Sequence, residues 1–323
     1  MFDINKIIEE ITLNGYAEFS YSLGGKEFSI YVSFIELPYI LVIPSDIKDD
    51  VILALEVNNI ESNILLEVID NGLKTAYNLT KNLVEFSAPV LIPLLPSFKY
   101  GPYFQQLSKE CFELDKDDVN YRIDLQVLEL LEKVRYKIKE DKGIDIDSKI
   151  FLNGYSSSGV FAQRFALLHP NIIDTLCIGG ASGSIPFPTL ELGYPLGISD
   201  YKQLTGNEFD LKSYSEIKHR YYVGSLECNR KSDTRFDEGG NYAPMHDMSY
   251  FERSVPKEIG IKQRMIFSKD LFLKSSKQIE LMKNIGIDIS QTIFEGRTHN
   301  NINGMGVNEL GDSFIKNCYE EIL

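Results

Sequence analysis

Two segments near the start of the chain, Tyr16–Leu23 and Lys26–Ser33, are rich in Phe, Tyr, Ile and Val, and Gly24-Gly25 lies between them. Aromatic and β-branched runs flanking a two-residue glycine turn predict a β-hairpin. Tyr39–Ile43 is a short apolar run stopped by Pro44, and Val51–Val57 (VILALEV) is apolar enough for a strand buried on both faces. The period then changes. A helix is predicted over Gly72–Phe86, a strand over Pro89–Leu94, and a second helix over Arg122–Lys142. In that second helix Ile123, Val127, Leu130, Leu131, Val134 and Ile138 recur at helical spacing, and Gly143 follows as a stop.

The alternation continues with strand Lys149–Leu152, helix Ser158–Leu168 halted at His169-Pro170, and strand Ile173–Ile178. Residues 181–218 interrupt it with Gly, Pro and Ser and are expected to form a cap-like insertion. Strand Tyr221–Leu226, helix Lys274–Ile285, strand Ser290–Phe294 and helix Val307–Ile322 complete the chain. Strands alternating with helices imply βαβ units. The expected fold class is α/β: one domain over 1–323, with a mostly parallel central sheet, helices on both faces and an antiparallel β extension over 1–45.

Composition narrows the function. The 323 residues carry 33 Lys plus Arg against 47 Asp plus Glu, a net charge of −14. A pI near 4.9 argues against a broad basic surface for nucleic acid or anionic lipid. Cys111, Cys177, Cys228 and Cys318 are scattered, with no CxxC pair, which fits free thiols in a reducing compartment. The start, MFDINKIIEEITLNGY, lacks the basic and apolar regions of a signal peptide, and no apolar stretch approaches the ~20 residues of a membrane span. A soluble cytoplasmic protein is expected. The sequence leaves open whether it forms a homo-oligomer.

The segment with chemical content is Lys149–Pro170, KIFLNGYSSSGVFAQRFALLHP. At its centre, Gly154-Tyr155-Ser156-Ser157-Ser158 is a G-x-S-x-small pattern where a short strand ends and a helix begins. Serine also commonly caps helices, so the pattern alone is weak. Its context is that of the nucleophile elbow of α/β-hydrolases, a turn so sharp that the residues two before and two after the nucleophile must be small. Gly154 and Ser158 satisfy both sides only for Ser156. The helix that follows turns its positive end toward any oxyanion.

A serine nucleophile needs a base. His299, in FEGRTHNN after the last strand, lies where this fold returns its histidine, whereas His169, His219 and His246 read as structural or surface residues. Glu227, at the tip of the strand Tyr221–Leu226, is the expected acid, with Asp233 as the alternative in a longer loop. The oxyanion hole is expected from the backbone N–H of Ser157 plus a donor from Asn58 or Asn59; Asn-Asn is equally an ordinary turn pair.

With these pieces the chain resembles the α/β-hydrolase superfamily over roughly residues 35–323, and within it bacterial polyhydroxybutyrate-depolymerase-type and feruloyl-esterase-type hydrolases. The matching stretches are YRIDL at Tyr121–Leu125, Ile150–Pro170 with its RFALLHP tail, and Phe294–His299. The resemblance implies a Ser/acid/His triad that cleaves an ester, or less readily an amide, through an acyl-enzyme. The sequence departs from such proteins in three ways: Glu227 stands where they more often carry aspartate, Asn58-Asn59 replaces a His-Gly oxyanion signature, and Trp and a secretion signal are lacking. The last departure argues against an extracellular polyester. The expected activity is thus a carboxylesterase-type hydrolysis of a small or medium acyl ester, with no metal or organic cofactor. The alternative is a hydrolase-fold binding or sensor protein without turnover. No GxGxxG or GxxxxGK[ST] follows a strand, so a nucleotide-binding protein fits poorly.

Overall fold

The computed structural model describes residues 3–60, 62–96, 104–181, 185–225, 255–267, 271–297 and 309–323. The described strands form one sheet: β1 (Tyr16–Leu23), β2 (Lys26–Ser33), β3 (Tyr39–Pro44), β4 (Leu53–Leu55), β5 (Val90–Pro93), β6 (Ile150–Tyr155), β7 (Ile173–Gly179), β8 (Lys218–Gly224) and β9 (Ile289–Phe294). Their order is β1-β2-β3-β5-β4-β6-β7-β8-β9. The first three strands form an antiparallel meander that joins β5, and from β5 to β9 every neighbour is parallel.

Nine α-helices are described: α1 (Ile4–Asn14), α2 (Leu65–Leu83), α3 (Ile123–Lys142), α4 (Ser157–Leu168), α5 (Tyr201–Thr205), α6 (Leu211–Glu216), α7 (Lys257–Ile266), α8 (Leu271–Asn284) and α9 (Glu309–Glu320). They cover both faces of the sheet. On one face, Val127, Leu131, Val134 and Ile138 of α3, Phe161 and Phe165 of α4 and Met282 of α8 pack on Leu41, Leu53, Leu55, Leu152 and Ile178. On the other, Ile7 of α1, Leu73 and Leu79 of α2 and Ile315 of α9 pack on Ile40, Ala54, Val90 and Phe151. Burying each large aliphatic or aromatic side chain contributes about 1.5–3 kcal/mol, so both layers hold the sheet firmly. Gly72 lets α2 lie close to it: a Cβ there would stand 2.5 Å from Leu94 and 2.8 Å from Ile40.

Three helices differ from the sequence expectation. α1 carries Ile4, Ile7, Ile8 and Ile11 at helical spacing, with Asp3 accepting from the Lys6 N–H and Gly15 closing the end at φ 78°. α2 starts at Leu65 rather than Gly72, because its first turn exposes Leu65 and Leu66 and so shows no buried stripe. α7, between the expected strand Tyr221–Leu226 and the expected helix Lys274–Ile285, buries Gln263. Residues 185–218, within the expected insertion, hold α5 and α6 and two outward anchors. The Tyr201 hydroxyl donates to the Leu168 carbonyl at the far end of α4, and Leu192 and Leu196 join Val255 and Phe267 in a small separate cluster. Cys111, Cys177 and Cys318 are free and buried; Cys228 lies outside the described residues. No described helix is long and apolar enough to cross a membrane.

Candidate active site

The strand order places a crevice between β4 and β6. The chain leaves β4 for α2 on one face and leaves β6 for α4 on the other, and open α/β sheets bind ligands where successive connections part in this way. Ser156 stands there, between the last residue of β6 and the first of α4. Its φ of 56° and ψ of −113° lie in a region that side chains other than glycine rarely enter. Such a conformation costs on the order of 1–3 kcal/mol and persists only where its surroundings impose it.

Those surroundings are specific. The Ser156 N–H donates to the Gly179 carbonyl on β7 at 2.9 Å, and its carbonyl accepts the first helical bond of α4 from Val160 at 3.0 Å. Gly154 runs so close to the helix that a Cβ would meet the Ser158 carbonyl oxygen at 2.6 Å and the Gly159 backbone at 2.7 Å. The tight approach therefore falls between Gly154 and the peptide joining residues 158 and 159. Ser158 uses its hydroxyl as a pin, accepting the Tyr155 N–H at 2.9 Å and lying 3.0 Å from Glu56.

Ser157 opens α4, whose first N–H groups have no acceptor within the helix and face the crevice end of the sheet. Its hydroxyl accepts from the side-chain amides of Gln105 at 3.1 Å and Gln106 at 2.7 Å, and the Gln106 carbonyl in turn accepts from the buried Arg164 guanidinium at 2.7 Å. The sequence reading missed these two glutamines, which lie about fifty positions before the elbow with no motif around them. Their adjacent polar side chains between apolar neighbours were the available signal.

Asn58 turns inward. Its backbone N–H goes to Pro93, its amide donates to the Leu95 carbonyl at 3.0 Å, and its side-chain oxygen accepts the Leu95 N–H at 2.7 Å. Fully buried, it ties the ends of β4 and β5 together with its backbone N–H, one amide proton and its side-chain oxygen. Asn59 is nearer the crevice. Its N–H donates to Asn71 of α2 at 3.1 Å and its amide to the Tyr155 carbonyl at 3.0 Å, next to Ser156. An amide nitrogen has two protons, and the Tyr155 bond uses one of Asn59's.

Glu227, Asp233, His246 and His299 lie outside the described residues. The strand ends leading to the expected acid and base are adjacent: the Ser225 N–H donates to the Phe294 carbonyl at 3.1 Å, and the Gly296 N–H to the Ser225 hydroxyl at 2.9 Å. Of the two described histidines, His169 follows the far end of α4, with Nε2 2.9 Å from Asp124. His219 is buried at the start of β8, with Nε2 3.2 Å from the Tyr214 carbonyl, and burial pushes its pKa down to about 4. Both stand at the N-terminal edge of the parallel strands, opposite Ser156. Among the described residues no group of three or more His, Cys, Asp or Glu could hold a metal ion.

Glu56, the residue after β4, is the unexpected member of this neighbourhood. It is 5% exposed, and its carboxylate accepts from the Asn153 amide at 2.6 Å and from the Ser158 hydroxyl. Burial pushes its pKa up to about 7, against the lowering effect of those two bonds.

The sheet order, the two helical layers and the strained strand-to-helix turn together define the α/β-hydrolase fold. The chain is similar to the solved structure of a poly(aspartic acid) hydrolase from Sphingomonas sp. KT-1, at 14% identity over 93% of this chain and 98% of that one, with a TM-score of 0.54. Other solved neighbours are a poly(3-hydroxybutyrate) depolymerase from Bordetella parapertussis (11% identity, 97% and 93% covered, TM-score 0.47) and an S-formylglutathione hydrolase from Agrobacterium tumefaciens (12%, 94% and 98%, 0.44). No protein-family model and no curated protein sequence matches the chain.

Proposed function

We propose that this chain is a single-domain serine hydrolase that cleaves an ester of a small or medium acyl group, with Ser156 as nucleophile. The observation that carries the reading is the conformation of Ser156, a non-glycine residue at φ 56° between a buried strand and a helix N-terminus. The fold family supports hydrolysis as the class of chemistry. In the proposed cycle His299 removes the Ser156 proton as the hydroxyl attacks the carbonyl carbon, then returns it to the leaving alcohol. Water, deprotonated by the same imidazole, releases the acid. Glu227, or Asp233 from the longer loop, orients the imidazole. The Ser157 N–H stabilises the oxyanion, with Asn59 as the side chain closest to supplying a second donor. Residues 181–218 would serve as the cap.

The test is covalent labelling by a fluorophosphonate followed by turnover of p-nitrophenyl esters of graded chain length. Ser156→Ala should abolish both while leaving the circular dichroism spectrum unchanged. Rapid labelling that persists in Ser156→Ala and disappears in Ser157→Ala would move the nucleophile by one residue. A wild-type chain that neither labels nor turns over would favour the binding-protein alternative.

A further inference from the structure

The turn at Ser156 is strained, so something must hold the chain on both sides of it. On the strand side, Asn153 lies three residues before the serine and Tyr155 immediately before it; on the helix side, Ser158 lies two residues after. One carboxylate spans the two sides. Glu56 Oε2 accepts the Asn153 amide of β6 at 2.6 Å, and Glu56 Oε1 lies 3.0 Å from the Ser158 hydroxyl, which itself takes the Tyr155 N–H. Glu56, Asn153 and Tyr155 line a small cavity whose wall also includes Thr75, Asn78 and Asn82 of α2, Tyr222 of β8 and Ile315 of α9.

We propose that Glu56 is a positioning residue for the elbow: its buried carboxylate clamps the end of β6 to the first turn of α4 and so fixes Ser156 in its reactive conformation. The inference rests on Ser156 being the nucleophile only for its catalytic consequence; the clamp itself is a statement about local order. Glu56 is suited to this in two ways. It follows directly on β4, which pairs with β6, so the clamp is anchored to the neighbouring strand. Its two oxygens let one side chain meet both sides of the turn. Among the described residues no lysine or arginine pairs with it. The titratable groups that face it are Tyr222 on β8 and Cys177 on β7, with Cys318 on α9 against Cys177. The group is therefore held by neutral donors, and a neutral isostere can take its place. Glutamine offers one acceptor and one donor. The Asn153 side-chain oxygen, buried with no partner among the described residues, is available to receive that donor after an amide flip.

The experiment compares the full-length wild type with Glu56→Ala, Glu56→Gln and Asn153→Ala. It reads saturation kinetics of fluorophosphonate inactivation and hydrogen exchange of the amides between residues 153 and 160. In Glu56→Ala the maximal inactivation rate should fall about 10- to 100-fold, with the half-saturating concentration changed by less than about threefold, because orientation is lost and binding is not. Exchange of the elbow amides should rise at least about tenfold while that of the β1–β2 hairpin stays unchanged. Glu56→Gln should remain within about fivefold of wild type in both measurements, which separates a lost bridge from a lost charge. Should Glu56→Ala fail to fold, Asn153→Ala removes the strand-side half of the clamp and should show the same local rise in exchange. Wild-type exchange and labelling in Glu56→Ala would overturn the proposal, and so would a glutamine variant as damaged as the alanine one. If the wild type itself does not label, the hydrolase reading fails, and the exchange comparison still decides the role of Glu56.

Discussion

Helix α4 is held at each end by a buried carboxylate, and the two are opposites. At the N-terminal end Glu56 meets only neutral partners, Asn153 and Ser158. At the C-terminal end Asp124 of α3, fully buried, accepts two bonds from the Arg122 guanidinium at 2.8 and 2.7 Å and faces His169 Nε2 at 2.9 Å. Burial pushes both pKa values upward. At Asp124 the Arg122 bonds, followed by His169, overcome burial and hold the pKa below its ordinary value; at Glu56 burial prevails and the pKa rises to about 7. Equal burial thus yields opposite protonation energetics, decided by whether the partner carries a charge. At the ionic end Arg122 fixes the carboxylate within its own segment, and the carboxylate reaches the end of α4 through His169. The neutral end, beside Ser156, keeps a proton that can come and go near neutrality.

The strongest way to break the contrast is Asp124→Ala. The substitution strands Arg122, whose side chain is 13% exposed, and unpairs His169. Removing one partner of a buried ion pair costs about 3–5 kcal/mol. Urea denaturation should show that loss, and one below about 1 kcal/mol would mean that solvent replaces Asp124 and that the two ends of α4 are not differently secured.

The sequence reveals these two ends to different degrees. α3 and α4 are read nearly to their boundaries because their apolar residues follow the helical period, and Gly143 closes α3 at φ 71° as its position suggests. The strained serine is legible too, since a strand, a small residue and a helix must meet there. The clamp is not. Its hydrogen bonds join residues 97 and 102 positions apart, a distance over which no local period extends. The available signal was a lone glutamate in VILALEV, a run otherwise apolar enough to be buried on both faces. Asn58 shows the converse. An Asn-Asn pair after a strand suggests an exposed turn with free donors, but the first asparagine is buried between two strand ends that only the folded sheet brings together.

The second prediction uses pH to separate the carboxylates. Glu56 goes from an ordinary pKa of 4.5 to about 7 on folding, so between these values the native state holds a proton that the unfolded chain has lost. Its contribution is complete below pH 4.5 and is lost as pH rises to about 7, about 3 kcal/mol in all. His219 works in the opposite sense. Its pKa falls from 6.5 to about 4, so its contribution is complete above pH 6.5 and is lost as pH falls, by a similar amount. In the wild type the two nearly offset one another through the overlapping range. In Glu56→Gln the His219 effect stands alone, and stability relative to wild type should climb by about 3 kcal/mol from pH 4.5 to 7. A difference independent of pH would show that Glu56 is not protonated in the native state. Asp124, held below 3.8, should contribute no slope in this range and should lose its stabilisation only at more acidic pH.

The smallest expected effect tests whether the far end of α4 is structural only. His169→Gln removes one donor from Asp124 but leaves the two-bond Arg122 contact, so the carboxylate stays paired. It also removes a ring packed 5.0 Å from that of Phe165, and glutamine refills much of that space. One hydrogen bond to a charged group, with its partner otherwise satisfied, is worth about 1.5 kcal/mol. Denaturation should show a loss of that size, well below the Asp124→Ala value, because the buried charge keeps its main counterion. Fluorophosphonate labelling at Ser156 should be unchanged, since α4 separates the two residues along its whole length and His169 lies at the opposite edge of the parallel strands. A tenfold drop in labelling with the fold intact would mean that the Asp124–His169 pair takes part in the chemistry, and the division between an ionic structural end and a neutral reactive end would have to be abandoned.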